Sequence, residues 1–213
     1  MKKNNIPLAI KTLSEALKIK GRVYPSSLDL IRLAAEFEDG EISFGATCIV
    51  SKNKRIKRIW LDGNAEAFEE SVLAIKNADL IVLGPGSLYT SIIPNILVDG
   101  IRNAINTNHN KKVYVANIMT QPGETTGYTL KDHVNEIENY LGQRLDYIIA
   151  NSSNLPIQVI DRYKEMGATQ VLIDIDGDQR LIKSDLVYII NQERPIVRHD
   201  PKKISELIVK CIN

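Results

Sequence analysis

The sequence predicts an α/β protein: a Rossmann-like, mostly parallel sheet with helices on both faces and a β-hairpin insertion. Three observations carry that reading. Short runs of consecutive apolar residues occur at Leu80–Leu83, Val113–Ala116 and Tyr147–Ala150. Strands buried on both faces read in this way. Between them lie segments of helical period, and strand–helix alternation builds parallel sheets. Before about residue 65 the pattern differs, with apolar residues at every second position.

The chain has 213 residues, 44% hydrophobic and 25% charged, which is enough apolar material for a real core and excludes a mainly disordered chain. Lys plus Arg is 27 and Asp plus Glu is 26, a formal charge of +1. That balance gives no support to binding nucleic acid or a charged membrane surface. Cys48 and Cys211 lie far apart with no Cys/His cluster, so each reads as a small buried apolar residue and not as part of a disulfide framework or zinc site. No run reaches the length of a membrane span and no signal-type apolar segment follows Met1, so a cytoplasmic protein with no membrane insertion is expected. The expected organisation is one domain over 1–213, made of a β-rich insertion at 22–62 and an α/β core at 65–213.

Each element has its own signal. Leu33–Phe37 and the alternating Ile42, Phe44, Ala46, Cys48 and Val50 flank Asp39-Gly40, a hairpin pair because Gly tolerates φ > 0. Arg55–Leu61 reads as another strand, its basic face solvated as on protected edge strands. Phe68, Val72 and Ile75 follow helical spacing. Leu97, Ile101, Ala104 and Ile105 mark a second helix opened by Pro94. Leu130, Val134, Ile137 and Leu141 mark a third, with Thr129 and Asp132 as a capping box. Ile157, Ile160 and Tyr163 mark a fourth, capped from Asn151–Asn154 and ending at Gly167. Val171–Ile173 reads as a strand. A last helix is capped by Asp200 and runs through Ile204, Leu207, Ile208 and Cys211.

Ligands of open α/β sheets bind beyond the carboxyl ends of the strands. The first such end is Gly84-Pro85-Gly86-Ser87-Leu88-Tyr89-Thr90-Ser91. Its glycines allow close backbone approach, successive N–H groups can form an anion nest, and Ser87, Thr90 and Ser91 add hydroxyls. It reads as a phosphate cradle or as a self-capped turn. It is neither a Walker loop nor GxGxxG. The second end, Asn117–Tyr128, is long for a βα connection, and its amides, hydroxyls and the carboxylate of Glu124 suit a base or a sugar. His133 reads as a packed histidine and Asp132 as a helix-start residue. Arg198 is either a phosphate clamp or a surface arginine. Asp174–Asp178 lacks the Glu expected at position twelve of a calcium loop and reads as an acidic turn. No metal site and no catalytic constellation emerges.

The stretch Ala78–Asn95, around Gly84-Pro85-Gly86-Ser87-Leu88-Tyr89-Thr90-Ser91, resembles the most distinctive motif of the CofD-like superfamily. Asn117–Tyr128 with Asp132-His133, and then Arg198-His199, resemble the gluconeogenesis factor group within it. The resemblance implies a regulatory binding protein needed for cell shape and cell-wall synthesis on gluconeogenic carbon sources. It implies a UDP-sugar ligand, such as UDP-N-acetylglucosamine or UDP-glucose, or another nucleotide, with no obligatory cofactor. Gly84, Pro85, Gly86, Ser87, Tyr89, Thr90 and Ser91 would meet phosphates. Asn117, Thr120, Gln121, Gly123, Glu124, Tyr163 and Arg198 would meet nucleotide or sugar. The neighbouring branch, 2-phospho-L-lactate transferase, implies a nucleotide-dependent transferase instead, for which Glu124 or Asp132 would serve as base. Family members open with a Gly-Gly-Gly-Thr-Gly turn and an Asp-Asp-Gly-Gly-Ser-Ser-Gly segment, and this sequence has neither. Half of the usual crevice is therefore expected to be missing, which adds a non-binding truncated family member as a further alternative, with a sheet edge left open to homo-oligomer formation.

Overall fold

The computed structural model describes residues 6–191 and 193–212. Its centre is a parallel sheet in the order β4 (Leu80–Leu83), β5 (Lys111–Val115), β6 (Tyr147–Asn151) and β7 (Leu181–Ser184). Alternation along each strand sends side chains to opposite faces. Tyr114, Ile148 and Ala150 join the larger core, with Leu130, Val134, Ile137 and Leu141 of helix α6 (Leu130–Leu141) and Ile101 and Ile105 of α5 (Asp99–Thr107). Val113, Val115 and Ile149 face the other way, against Ile204, Leu207, Ile208 and Cys211 around α8 (Pro201–Lys210). Both faces of β5 and β6 are covered, which is why Val113–Val115 and Ile148–Ala150 lack polar alternation; on the edge strands Val82 of β4 and Lys183 of β7 are exposed.

A three-stranded antiparallel sheet precedes this core, ordered β2 (Ile42–Phe44), β1 (Arg32–Phe37) and β3 (Ile56–Asp62). The hairpin turns at Gly40, φ 84°. On β3, Lys57 and Arg58 bracket Glu36 of β1 at 2.6 and 2.7 Å, so the basic face is balanced by a strand neighbour. Helices α1 (Ile6–Ala16), α2 (Ala46–Ser51), α3 (Glu69–Lys76), α4 (Ile93–Ile96) and α7 (Ile157–Glu165), and a hairpin of β8 (Val187–Ile190) and β9 (Ile196–His199), complete the architecture. The capping box at Thr129–Asp132 and the Asp200 cap of α8 are present.

Several expectations are corrected. The strand after Gly40 stops at Phe44, because Gly45 (φ 88°) turns the chain into α2. In β2 it is Ser43 that is buried, while Ile42 and Phe44 face outward. Cys48, now helical, is exposed; Cys211 is buried as expected. The helix expected from Pro94 onward is broken: Val98 is extended and buried between α4 and α5. Gly100 just beyond the break lies so close to Ala67 that a Cβ would meet its Cβ at 2.5 Å. Helix α7 buries Val159 and leaves Ile157 66% exposed, because its inner face is set by the β8–β9 hairpin side of the core. Its N-cap is Pro156, with no side-chain cap; Asn151 Oδ1 instead accepts from Leu186 N at 3.0 Å. Val171–Ile173 is not a strand. Val171 N donates to Ile118 O and Leu172 O accepts from Leu130 N, so that segment lies over the β5–α6 connection, and β7 takes the sheet position.

The β5–α6 connection is anchored at Gly123, φ 79°, where a Cβ would sit 2.2 Å from Val50 O. Gly142, which ends α6 at φ 80°, has nothing within 4 Å of that position. Gly142→Ala is expected to cost about 1 kcal/mol, the left-handed penalty alone. Gly123→Ala adds displacement of α2 and is expected to cost about 2–4 kcal/mol. Urea midpoints at constant slope measure both. Equal losses would contradict this packing.

Candidate functional site

Parallel pairing of β4 with β5, in the register Leu83↔Tyr114, carries the two strand-end segments out of the sheet side by side. Gly84 (φ 78°) passes so close to β5 that a Cβ would meet Val115 O at 2.7 Å. A cis peptide joins Gly84 to Pro85. Gly86 is then gripped at two points by one amide: its N–H donates to Asn117 Oδ1 at 3.1 Å, and its carbonyl accepts from Asn117 Nδ2 at 2.9 Å. Gln121 Nε2 donates to Ser87 Oγ at 2.8 Å. After Ser87 the chain makes one π-type turn, Leu88–Ile92.

That turn is held from below by a buried carboxylate. Glu124 accepts Tyr89 N at 3.1 Å and the Thr90 hydroxyl at 2.8 Å. The Tyr89 hydroxyl is 2.8 Å from that of Tyr128, whose ring stands edge-on to His133. Burial raises the Tyr89 phenol far above its ordinary range. Burial lowers the His133 imidazole and keeps it neutral; its Nδ1 lies 2.8 Å from Thr129 O, and its Nε2 is buried without a partner.

A cleft of about 420 Å³ opens at the carboxyl ends of β4 and β5. Pro85, Gly86 and Ser87 form one wall, and Asn117, Thr120 and Gln121 the floor. Tyr163 from α7 and Val197, Arg198 and His199 from β9 form the opposite wall. The Tyr163 hydroxyl accepts from Val197 N at 3.1 Å, tying α7 to β9. Arg198 is exposed, with one guanidinium N–H on Val197 O. No carboxylate lines this cleft.

The structure thus gathers Pro85, Gly86, Ser87, Asn117, Thr120, Gln121, Tyr163 and Arg198 around one space, although they come from four parts of the chain. It does not bring the others there. Gly84 and Ser91 line a separate groove of about 460 Å³ along the outer edge of β4. Tyr89, Thr90 and Glu124 are spent on one another under the loop, and Gly123 packs on α2. Glu124 and Asp132, the expected base candidates, are committed to the loop and to the helix cap. His199 also lines the cleft, and the sequence reading named it in the Arg198-His199 motif without giving it a contact. Its signal was faint: a histidine ending a short strand just before a helix cap. Among the described residues no cluster of three or more His, Cys, Asp or Glu could hold a metal, and no helix is long and apolar enough to cross a membrane.

Comparison with known proteins places the chain in a family. The model described as 2-phospho-L-lactate transferase CofD matches residues 1–193. The chain belongs to the CofD family. A relative in Thermotoga maritima is 46% identical over 204 residues, 94% of this chain and 65% of its own length. The protein named gluconeogenesis factor in Bacillus subtilis is 36% identical, over 96% of this chain and 65% of that protein. A crystal structure of a UPF0052 family protein from Bacillus halodurans superposes with a TM-score of 0.87 at 37% identity, covering 95% of this chain and 66% of that one. The chain therefore spans just under two thirds of the length of these relatives.

His133 gives a pH prediction. Its native value lies below the ordinary 6.5, so between the two values the unfolded chain binds the extra proton. Stability is full above pH 6.5 and falls as pH drops below it, by at most about 1.4 kcal/mol per unit for this group. Glu136, pushed up by burial, acts in the opposite sense, so the His133 share is read against His133→Gln. Urea unfolding at pH 7.5 and 5.5 is expected to show a smaller acid loss in the variant. Identical losses would remove His133 from the account.

Proposed function

We propose that this chain binds the diphosphate of a nucleotide sugar, a UDP-sugar such as UDP-N-acetylglucosamine or UDP-glucose, and acts as a regulatory binding protein. The observation that carries the reading is the polarity of the cleft. A glycine loop and one exposed guanidinium line it, and among the described residues no carboxylate does. The N–H of Ser87, which lines the cleft, donates to no acceptor among the described residues, which leaves it for an anion. Arginine suits phosphate because its fork of donors can engage two oxygens. The name gluconeogenesis factor borne by the Bacillus subtilis relative supports a role connected with gluconeogenesis; the proposed role is in cell shape and cell-wall synthesis on gluconeogenic carbon, in the cytoplasm. The open edge of β4 and the outward Ile42 and Phe44 support association into a homo-oligomer.

A second reading, a nucleotide-dependent phospholactyl-type transferase, is favoured by the description of the family model that matches. It requires a base at the cleft, and Glu124 and Asp132 are both committed elsewhere.

Thermal or urea unfolding with UDP-N-acetylglucosamine tests the binding reading. Ligand at 100 times its dissociation constant is expected to add about 2.7 kcal/mol. Arg198→Ala is expected to weaken binding by about 30-fold, the worth of a charge-assisted hydrogen bond, without changing stability in its absence. No stabilisation of the folded wild-type chain by UDP-N-acetylglucosamine, UDP-glucose or UDP would overturn the reading.

A further inference from the structure

We propose that His199 is the hydrogen-bond acceptor of the cleft, taking a neutral N–H or O–H of the ligand on its Nδ1. The inference rests on the nucleotide-sugar reading above and adds the group that reads the uncharged part of that ligand.

The argument starts from tautomer chemistry. His199 Nε2 lies 3.0 Å from the carbonyl oxygen of Ala116, at the end of β5. A carbonyl oxygen only accepts, so Nε2 carries the proton. In neutral imidazole the other nitrogen then holds a lone pair. The ring lines the cleft, and Nδ1 has no hydrogen-bond partner among the described residues. Burial pushes the imidazole below its ordinary range and outweighs the Ala116 bond, so the ring is neutral at pH 7. The ionisable side chains sharing the cleft are Arg198, beside it on β9, and Tyr163 of α7. Across the hairpin its partner is the apolar Val187. Arg198 offers only donors, and the Tyr163 hydroxyl already accepts from Val197 N. Asn117 spends both ends of its amide on Gly86. His199 is therefore placed to present an unspent lone pair to the cleft beside the hydroxyl oxygens of Ser87 and Thr120.

The two amide residues separate this role from a purely structural one. Asn places its amide where Nδ1 stands and can present an oxygen to the ligand, but it does not reach Ala116. Gln places its amide nitrogen at the Nε2 position, keeps the Ala116 bond and removes the Nδ1 acceptor. Calorimetric dissociation constants for UDP and UDP-N-acetylglucosamine are measured at pH 8 and pH 5.5 for wild type, His199→Asn and His199→Gln. His199→Gln is expected to bind about tenfold more weakly at pH 8. His199→Asn is expected to stay within about threefold of wild type and to lose any weakening that wild type shows as pH falls and Nδ1 takes up a proton. An effect already present with UDP places the donor on the base or ribose, and one present only with the sugar nucleotide places it on the sugar. The reverse order, with Gln like wild type and Asn impaired, overturns the proposal and leaves His199 as a tie between β9 and β5. So does equal binding by all three. Failure of the wild-type chain to bind either nucleotide overturns the cleft reading itself, and this assignment with it.

Discussion

The candidate site depends on one side-chain amide. Asn117 leaves the end of β5 and satisfies both backbone groups of Gly86, which has just left β4. The loop has no helix or sheet of its own to pair its backbone, and unpaired buried backbone groups are costly. The amide makes the loop's geometry a property of the sheet register. Parallel strands in fixed register bring residue 86 level with residue 117, and a slip of one residue would turn Asn117 to the other face. Glu124 repeats the device one turn later by holding Tyr89 N and the Thr90 hydroxyl. Preorganisation of this kind removes an ordering cost from ligand binding.

With those groups committed, the cleft is defined by what remains. Ser87 keeps its N–H, Arg198 keeps most of its guanidinium, and His199 keeps a lone pair. Charge enters through one placed cation, in a protein whose formal charge is only +1. Such a site meets phosphate with directed donors rather than with a broad positive field, so its selectivity lies in geometry.

Where the sequence was legible, local chemistry decided the outcome. The apolar runs of β5 and β6 are buried on both faces, with Ile148 and Ile149 fully hidden, and that of β4 is covered at Ile81. Thr129 and Asp132 cap α6 through bonds spanning three residues, which sequence alone encodes. Legibility failed where a distant partner decided. The alternation Ile42 to Val50 spans a strand and a helix because Gly45 turns between them, and the apolar side of β2 faces outward. Val171–Ile173 is apolar enough for a strand, but the β5–α6 connection claims its backbone bonds. The same limit applies at the site. The motif residues were visible as polar residues at strand ends, yet nothing local distinguishes Glu124, turned inward beneath the loop, from Gln121, which faces the cleft. His199 gained its meaning from a carbonyl 83 residues away in sequence.

The central claim is that the Gly84–Ser87 loop is preformed and presents the Ser87 N–H to an anion. Backbone amide NMR of the chain titrated with UDP-N-acetylglucosamine tests it most directly. The largest shift should fall on Ser87, with smaller ones on β9 around Arg198. In Asn117→Ala, with the α6 and sheet resonances unchanged, the Ser87 shift should be lost. Largest shifts along the outer edge of β4, or undiminished loop shifts in Asn117→Ala, would contradict it.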